Sequence, residues 1–204
     1  LCVTTEGKES GRMLKLMAPG MRLDRSFSCG QAFRWQNLET DGKTWRGVVA
    51  DRCVTLRQEG ERLFLDRPEE EEAFWVHYFS LDLDYGELES LLMKDPRTRD
   101  CLQNSAGIRL FRQDPFETTI SFIVSANNNV KRIAGILERL ADHYGDKKTD
   151  GEGRTYAAFP LASQLAGADV EDLKSLGAGY RATYIRDTAR RVTEGFDLEG
   201  LRSM

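Results

Sequence analysis

The sequence predicts an α+β protein in which a sheet-forming half precedes an all-helical half. Residues from about 20 to 66 contain TWRGVVA, RCVTLRQ and RLFLD, short runs rich in Val, Leu, Phe and Trp. Polar turns at Asp51-Arg52 and Glu59–Glu61 separate these runs, the pattern of antiparallel hairpins. From Asp114 onward apolar residues instead recur at three- and four-residue steps, the spacing of one helix face. No internal repeat is visible.

The elements follow in order. The opening LCVTTEGKESGR is polar and reads as a frayed tail, with residues 1–19 lying outside the folded part. It lacks a basic stretch followed by an apolar one, so it is not expected to be a secretory signal, and without an initial Met it is not expected to be the natural start. After the hairpins, Glu69–Glu72 follow Pro68 as an acidic helix start, where carboxylates suit the helix dipole. Phe74, Tyr78 and Phe79 continue that helix; a second is expected over Glu87–Met93, and a third after Asp95-Pro96. GIRLFRQ, Gly107–Gln113, reads as one more strand, so that residues 20–114 form the sheet domain. Asp114-Pro115-Phe116-Glu117 then opens a helix: Asp114 caps, Pro115 fits the first helical position, and Glu117 is placed to close a capping box. Phe116, Ile120, Ile123 and Val124 share one face; Val130, Ile133, Leu137, Leu140 and Tyr144 line the next helix. Residues 145–158 read as a polar loop, Leu165–Leu176 as short helices closed by Gly177, and Tyr184, Ile185, Thr188, Ala189 and Val192 as a final amphipathic helix. Residues 115–204 thus make up the helical part.

Composition narrows the classes. No apolar run reaches the roughly 18–20 residues that span a bilayer, so no membrane partner is expected. Cys2, Cys29, Cys53 and Cys101 are scattered, and only His77 and His143 join them; no metal site and no cofactor is expected. Scattered cysteines without a signal favour reduced thiols inside a cell. The net charge of −4 argues against a wholly basic nucleic-acid-binding surface but leaves room for a local patch.

Two places break the ordinary rules of helix design. SANNNVKRI, Ser125–Ile133, interrupts an apolar-periodic region with three asparagines and then sets Lys131 and Arg132 in a first helical turn, where cations oppose the dipole. SLGAGYRATY repeats the theme: Gly177 and Gly179 flank Ala178, and Tyr180-Arg181 opens the last helix. Either an anionic or hydrogen-bonding partner outside the chain completes these helix starts, or Arg132 and Arg181 are solvated or paired with carboxylates. Asn128 and Asn129 read as caps or as backbone braces.

These blocks carry a resemblance. DPFETTISFIVSANNNVKRI, SCGQAFRW (Ser28–Trp35), RLFRQDP (Arg109–Pro115), the Phe159-Pro160 pair and LGAGYRATY (Leu176–Tyr184) closely resemble, in order and spacing, the corresponding segments of 8-oxoguanine DNA glycosylases. The likeness runs from about residue 20 to the end. It implies a twisted antiparallel sheet domain of the TATA-binding-protein type, followed by the first part of the helix–hairpin–helix glycosylase domain. It also implies double-stranded DNA containing 8-oxoguanine opposite cytosine as partner, with the lesion flipped out of the stack. Asn127, Arg132 and Arg181 match residues that surround the orphaned cytosine, whose O2 and N3 accept and whose N4 donates. Tyr180 matches a wedge beside that cytosine. Gly30 matches the glycine whose backbone carbonyl accepts from N7–H of 8-oxoguanine and repels the lone pair of guanine; the alternative, a glycine that merely serves a bend, is the less favoured. Arg34 and Trp35 read as supporting residues rather than contacts.

The resemblance also defines what is missing. The family attacks the sugar with a lysine amine, assisted by an aspartate, on a hairpin downstream of the Tyr-Arg pair. Only 23 residues follow Arg181, no proline follows Pro160, and none of the eight lysines stands in that context. No catalytic residue is therefore assigned in this chain. It is expected to be part of a longer bifunctional glycosylase and lyase, inactive alone, with the rest of the helical domain as a candidate partner. A non-catalytic short form that binds damaged DNA or another protein is the alternative. A glycosylase for alkylated purines is disfavoured by the SANNN and GYR blocks. The expected location is the cytoplasm of a bacterium or the nucleus of a eukaryote.

Overall fold

The computed structural model of the chain describes residues 13–203. The first twelve residues of the expected tail lie outside this range. The tail is nevertheless shorter than 1–19, because Leu14–Met17 form strand β1 with Leu14 and Leu16 buried. After helix α1 (Leu23–Ser28) come β2 (Trp35–Asn37), β3 (Thr44–Val49), β4 (Arg52–Glu59) and β5 (Arg62–Leu65). They form one five-stranded sheet in the order β1-β5-β4-β3-β2. The β4–β5 hairpin turns on Gly60 and Glu61, with Glu59 opposite Arg62; Gly60 has φ +60°, a value that suits glycine. Strand β5 also pairs antiparallel with β1, setting Leu14 against Leu65 and Leu16 against Leu63. The alternation of these leucines places them on one buried face.

Helices α2 (Glu72–Tyr78), α3 (Tyr85–Leu92) and α4 (Pro96–Ser105) follow. The acidic run is structural, as its position predicted. Glu71 lies 2.5 Å from Arg67 and accepts from the Trp75 indole at 3.0 Å. Asp84 and Asp95 cap α3 and α4.

Gly107–Gln113 is not a strand. Its backbone is extended, but side chains rather than a neighbouring ladder satisfy it. The Arg109 amide donates to Ser26 Oγ at 3.1 Å and the Leu110 amide to the Tyr85 hydroxyl at 2.9 Å. The Leu110 carbonyl accepts from Ser80 Oγ at 2.7 Å. With its donors and acceptors occupied in this way, the segment has no need of a sheet edge.

The helical half holds α5 (Pro115–Ser125), α6 (Val130–Tyr144), α7 (Ala162–Ala166), α8 (Val170–Leu173) and α9 (Ala182–Thr193). Residues 145–158 are a hairpin rather than a loop: β6 (Lys147–Thr149) pairs antiparallel with β7 (Thr155–Ala157). Its sequence lacks the apolar alternation of a strand pair, and polar bonds hold it instead. Asp150 accepts backbone hydrogen bonds from Glu152 and Arg154 and forms ion pairs with Arg46 at 2.7 Å and Arg154 at 2.9 Å.

The chain divides into two compact units that are not contiguous in sequence. One contains the chain up to Ser26, Asn37–Trp45 and Val54–Phe111. Its core joins the sheet leucines to an aromatic group in which Tyr78 stacks on Phe111 at 5.3 Å and Trp75 on Phe79 at 5.8 Å. The other contains Phe27–Gln36, Arg46–Cys53 and everything from Arg112. Ile120, Val124, Ile133, Ile136, Leu137, Leu140, Leu165, Leu173 and Ile185 fill its core, and alanines at 182 and 189 are packed among them. Phe27 stacks on Trp35 at 4.3 Å in this second unit, and Gly47 lies against the Trp35 ring so closely that a side chain would collide with it. No helix among the described residues is long and apolar enough to cross a membrane.

Candidate functional site

The site is built at the break between α5 and α6, within the second unit. Asp114 caps α5, accepting from the Glu117 amide at 2.7 Å, and Pro115 occupies the first turn. The helix runs to Ser125 and stops as expected. Asn127 then takes φ +48°, a left-handed value that Asn tolerates better than most residues. The next two asparagines do both jobs read from the sequence. Asn128 Nδ2 donates to the Val124 carbonyl at 3.0 Å, bracing the end of α5. Asn129 caps α6, its Oδ1 accepting from the Arg132 amide at 3.0 Å.

Two of the asparagines are thus spent on the fold, and Asn127 is left exposed at the turn. Lys131 and Arg132 are exposed in the first turn of α6, and neither side chain has an ion pair or hydrogen bond among the described residues. Unpaired cations at a helix N-terminus cost a few tenths of a kcal/mol each or more.

Arg181 behaves differently from Arg132. It is only 4% exposed. Its Nε donates to the Ala126 carbonyl at 3.0 Å, and a terminal nitrogen donates to the carbonyls of Ala126 and of Asn127, the latter at 3.2 Å. The other terminal nitrogen reaches the Ala178 carbonyl at 3.4 Å. Arg181 is therefore neither solvated nor paired with a carboxylate; it caps the C-terminal end of α5. Tyr180 projects outward, 59% exposed, with the Arg181 guanidinium 4.5 Å from its ring centre.

Gly30 has φ +86°, and a Cβ built there would lie 3.8 Å from the Val130 side chain, the first residue of α6. The space is open, so what demands glycine is the backbone conformation rather than a close neighbour. The Gly30 carbonyl accepts no hydrogen bond among the described residues. Gly30, Asn127, Arg132, Tyr180 and Arg181 come from three separate stretches of chain and converge on the start of α6.

Two further charges of the same unit stand out, the buried Arg34, read from the sequence as a supporting residue, and the half-buried Glu117. Arg34 is 5% exposed, donating to Glu138 at 3.1 Å and to the Ala157 carbonyl at 2.7 Å. Glu117, read as a capping residue, makes no side-chain hydrogen bond among the described residues. Burial pushes its carboxyl up to about 7; the Arg34 charge works against this, and Asp114 and Glu138 add to it. Helix-start rules foretell the position of Glu117 but not the atoms that pack around it. No cluster of three metal-ligating side chains occurs among the described residues.

Comparison with known proteins bears on this architecture. Residues 120–200 match the HhH-GPD superfamily of base excision DNA repair proteins. Residues 13–119 match the N-terminal domain of 8-oxoguanine DNA glycosylase, and the chain belongs to that family. An N-glycosylase/DNA lyase OGG1 from Arabidopsis thaliana is 31% identical over 190 residues, covering 88% of this chain and 50% of the relative. The chain spans about half the length of the curated relatives it matches. Among solved structures, MBOgg1 in complex with a low-affinity DNA ligand aligns with TM-score 0.86 and 36% identity over 97% of this chain and 68% of its own. The Clostridium acetobutylicum 8-oxoguanine glycosylase/lyase, bound to DNA with cytosine opposite 8-oxoG, gives TM-score 0.83 and 35% identity over 90% and 63%.

Proposed function

We propose that this chain is the part of a base-excision glycosylase and lyase that holds double-stranded DNA at 8-oxoguanine opposite cytosine and fills the space the flipped base leaves. Family membership supports the reaction class. The observation that carries the residue roles is the convergence on the start of α6. Asn127 offers an amide at an exposed left-handed turn, Arg132 an unpaired fork of donors, and Tyr180 an exposed ring. Cytosine presents acceptors at O2 and N3 and a donor at N4, so an Arg fork and an Asn carbonyl together complement its pairing edge. Tyr180 is the wedge, and Arg181, wired to the Asn127 carbonyl, is positioned next to both. The free carbonyl at Gly30 is the acceptor for N7–H of the oxidised base. Guanine turns a lone pair to that carbonyl, a mismatch of about 1–3 kcal/mol.

None of the described lysines is placed to be the attacking amine. A Schiff-base lysine needs desolvation or a neighbouring cation to be nucleophilic near neutrality. Every described lysine is exposed or half-exposed. Lys147, Lys148 and Lys174 pair with Asp142, Asp51 and Glu171, each at 2.8 Å or less. On this reading the chain is non-catalytic by itself, and the protein it belongs to acts inside the cell.

The test is binding to duplexes that carry a stable abasic-site analogue opposite each of the four bases, followed by fluorescence anisotropy. The chain should prefer cytosine, and Arg132→Ala should erase roughly 1–3 kcal/mol of that preference. Equal affinity for all four opposite bases before the substitution, or an unchanged ratio after it, would refute the assignment.

A further inference from the structure

We infer that a cleft beside the start of α5 is a binding site for a small organic ammonium with an apolar body. The cleft has a volume of about 290 Å³, at the lower end of the roughly 300–1,000 Å³ of small-molecule sites. Phe116, Phe159, Pro160 and Leu161 supply its apolar walls. Four carboxylates, Asp51, Asp114, Glu117 and Asp146, also line it, against the single cation Lys148. It shares no lining residue with the convergence at α6, and the inference does not depend on the DNA-repair reading.

Three of the four carboxylates are engaged. Asp51 holds Lys148 at 2.8 Å, Asp146 accepts from Gln164 at 2.9 Å, and Asp114 accepts from the Glu117 amide at 2.7 Å. Glu117 alone of the four has no hydrogen-bonding partner for its carboxylate among the described residues. Arg34, the buried cation whose charge acts on Glu117, has its own bonds to Glu138 and Ala157, and its remaining terminal nitrogen makes no hydrogen bond among the described residues. An apolar cleft with one orphan carboxylate and a net negative rim favours a cation that brings its own N–H donors and buries a ring or short alkyl chain. An anion would meet a rim with more carboxylates than cations.

Binding should be linked to the ionisation of Glu117. The groups that face it are Arg34, Asp114 and Glu138, with Asp51, Asp146 and Lys148 lining the same cleft. With its carboxyl up at about 7, the ionised fraction rises about tenfold from pH 6 to pH 8, and an ammonium binds only the ionised form. The probe is phenethylamine, which remains a cation over this range as a lysine amine does. Titration of the full chain, read by amide shifts of Ala158, Leu161 and Ala162, should show saturable binding about tenfold tighter at pH 8 than at pH 6. The uncharged 2-phenylethanol should bind more weakly and without pH dependence. Glu117→Gln should remove the pH dependence, and Ala162→Phe, which fills the cleft and leaves every carboxylate in place, should abolish binding. No saturable shift, equal binding of the alcohol, or a pH dependence that survives Glu117→Gln would overturn the site.

Discussion

Replacing Arg181 tests whether one buried guanidinium holds the α5–α6 break in shape. Its nitrogens reach three carbonyls, those of Ala126, Asn127 and Ala178. A hydrogen bond to a charged group contributes about 1.5–3 kcal/mol, but Ala126 and Asn127 are exposed, so water recovers part of the loss. Arg181→Met, which keeps the apolar stem, should therefore destabilise the second unit by about 2–4 kcal/mol. Arg181→Lys keeps one donor position and should cost about 1–2 kcal/mol. Urea unfolding should show a lowered midpoint with an unchanged slope. Amide spectra of the folded variants should change most at Asn127, Asn128 and Asn129, and the preference for cytosine opposite an abasic site should fall with them. If Arg181→Met matches the parent in stability and leaves the asparagine signals in place, the guanidinium does not brace the junction.

Further outcomes follow from other features. A Cβ at Gly145 would lie 2.0 Å from the Ala158 carbonyl oxygen, so Gly145→Ala should cost about 2–4 kcal/mol through overpacking. Gly60→Ala meets open space and should cost only the roughly 1–2 kcal/mol of a left-handed alanine; comparing the two urea midpoints checks the order. Burial works to raise the Asp150 carboxyl, yet bonds from Arg154 and Glu152 outweigh it and hold it below the usual carboxylate range. Its stabilising contribution is thus complete above the ordinary Asp pKa and lost as pH falls through the lowered value; thermal melts of Asp150→Asn should be less stable at pH 7 and flatter in acid. Incubating the purified chain with 8-oxoguanine duplex and borohydride should give no covalent adduct, and robust trapping on a gel would show that one of its own lysines is the nucleophile.

Signals confined to a few neighbouring residues were readable from the sequence. Asp114-Pro115 marks the start of α5, and SANNN marks the break, because caps and turns are satisfied by bonds within four residues. Gly107–Gln113 carries a strand's composition, but its backbone partners are Ser26, Ser80 and Tyr85, which no local pattern reveals. The β6–β7 hairpin is polar, and its ties to Arg46 and Asp51 lie about a hundred residues away in sequence. At the site, Arg132 and Arg181 look alike as cations at helix starts. Only the fold shows that one is exposed and unpaired among the described residues and the other is enclosed by carbonyls. The resemblance located both residues but carried no information about this difference.

The interleaving of the two units has a consequence for how the chain is made and dissected. Arg34 meets Glu138 and Ala157 across 104 and 123 residues of sequence, so these ties in the second unit cannot close until the chain through Ala157 exists. Long closures of this kind slow folding more than they change stability. They also mean that no single cut yields two independent halves. A fragment beginning at Arg112 would keep the helices but leave the Glu138 carboxylate and the Ala157 carbonyl without the arginine that binds both. For protein engineering the practical unit is the whole stretch from β1 to α9, and a helical half expressed alone should be less stable and prone to aggregate.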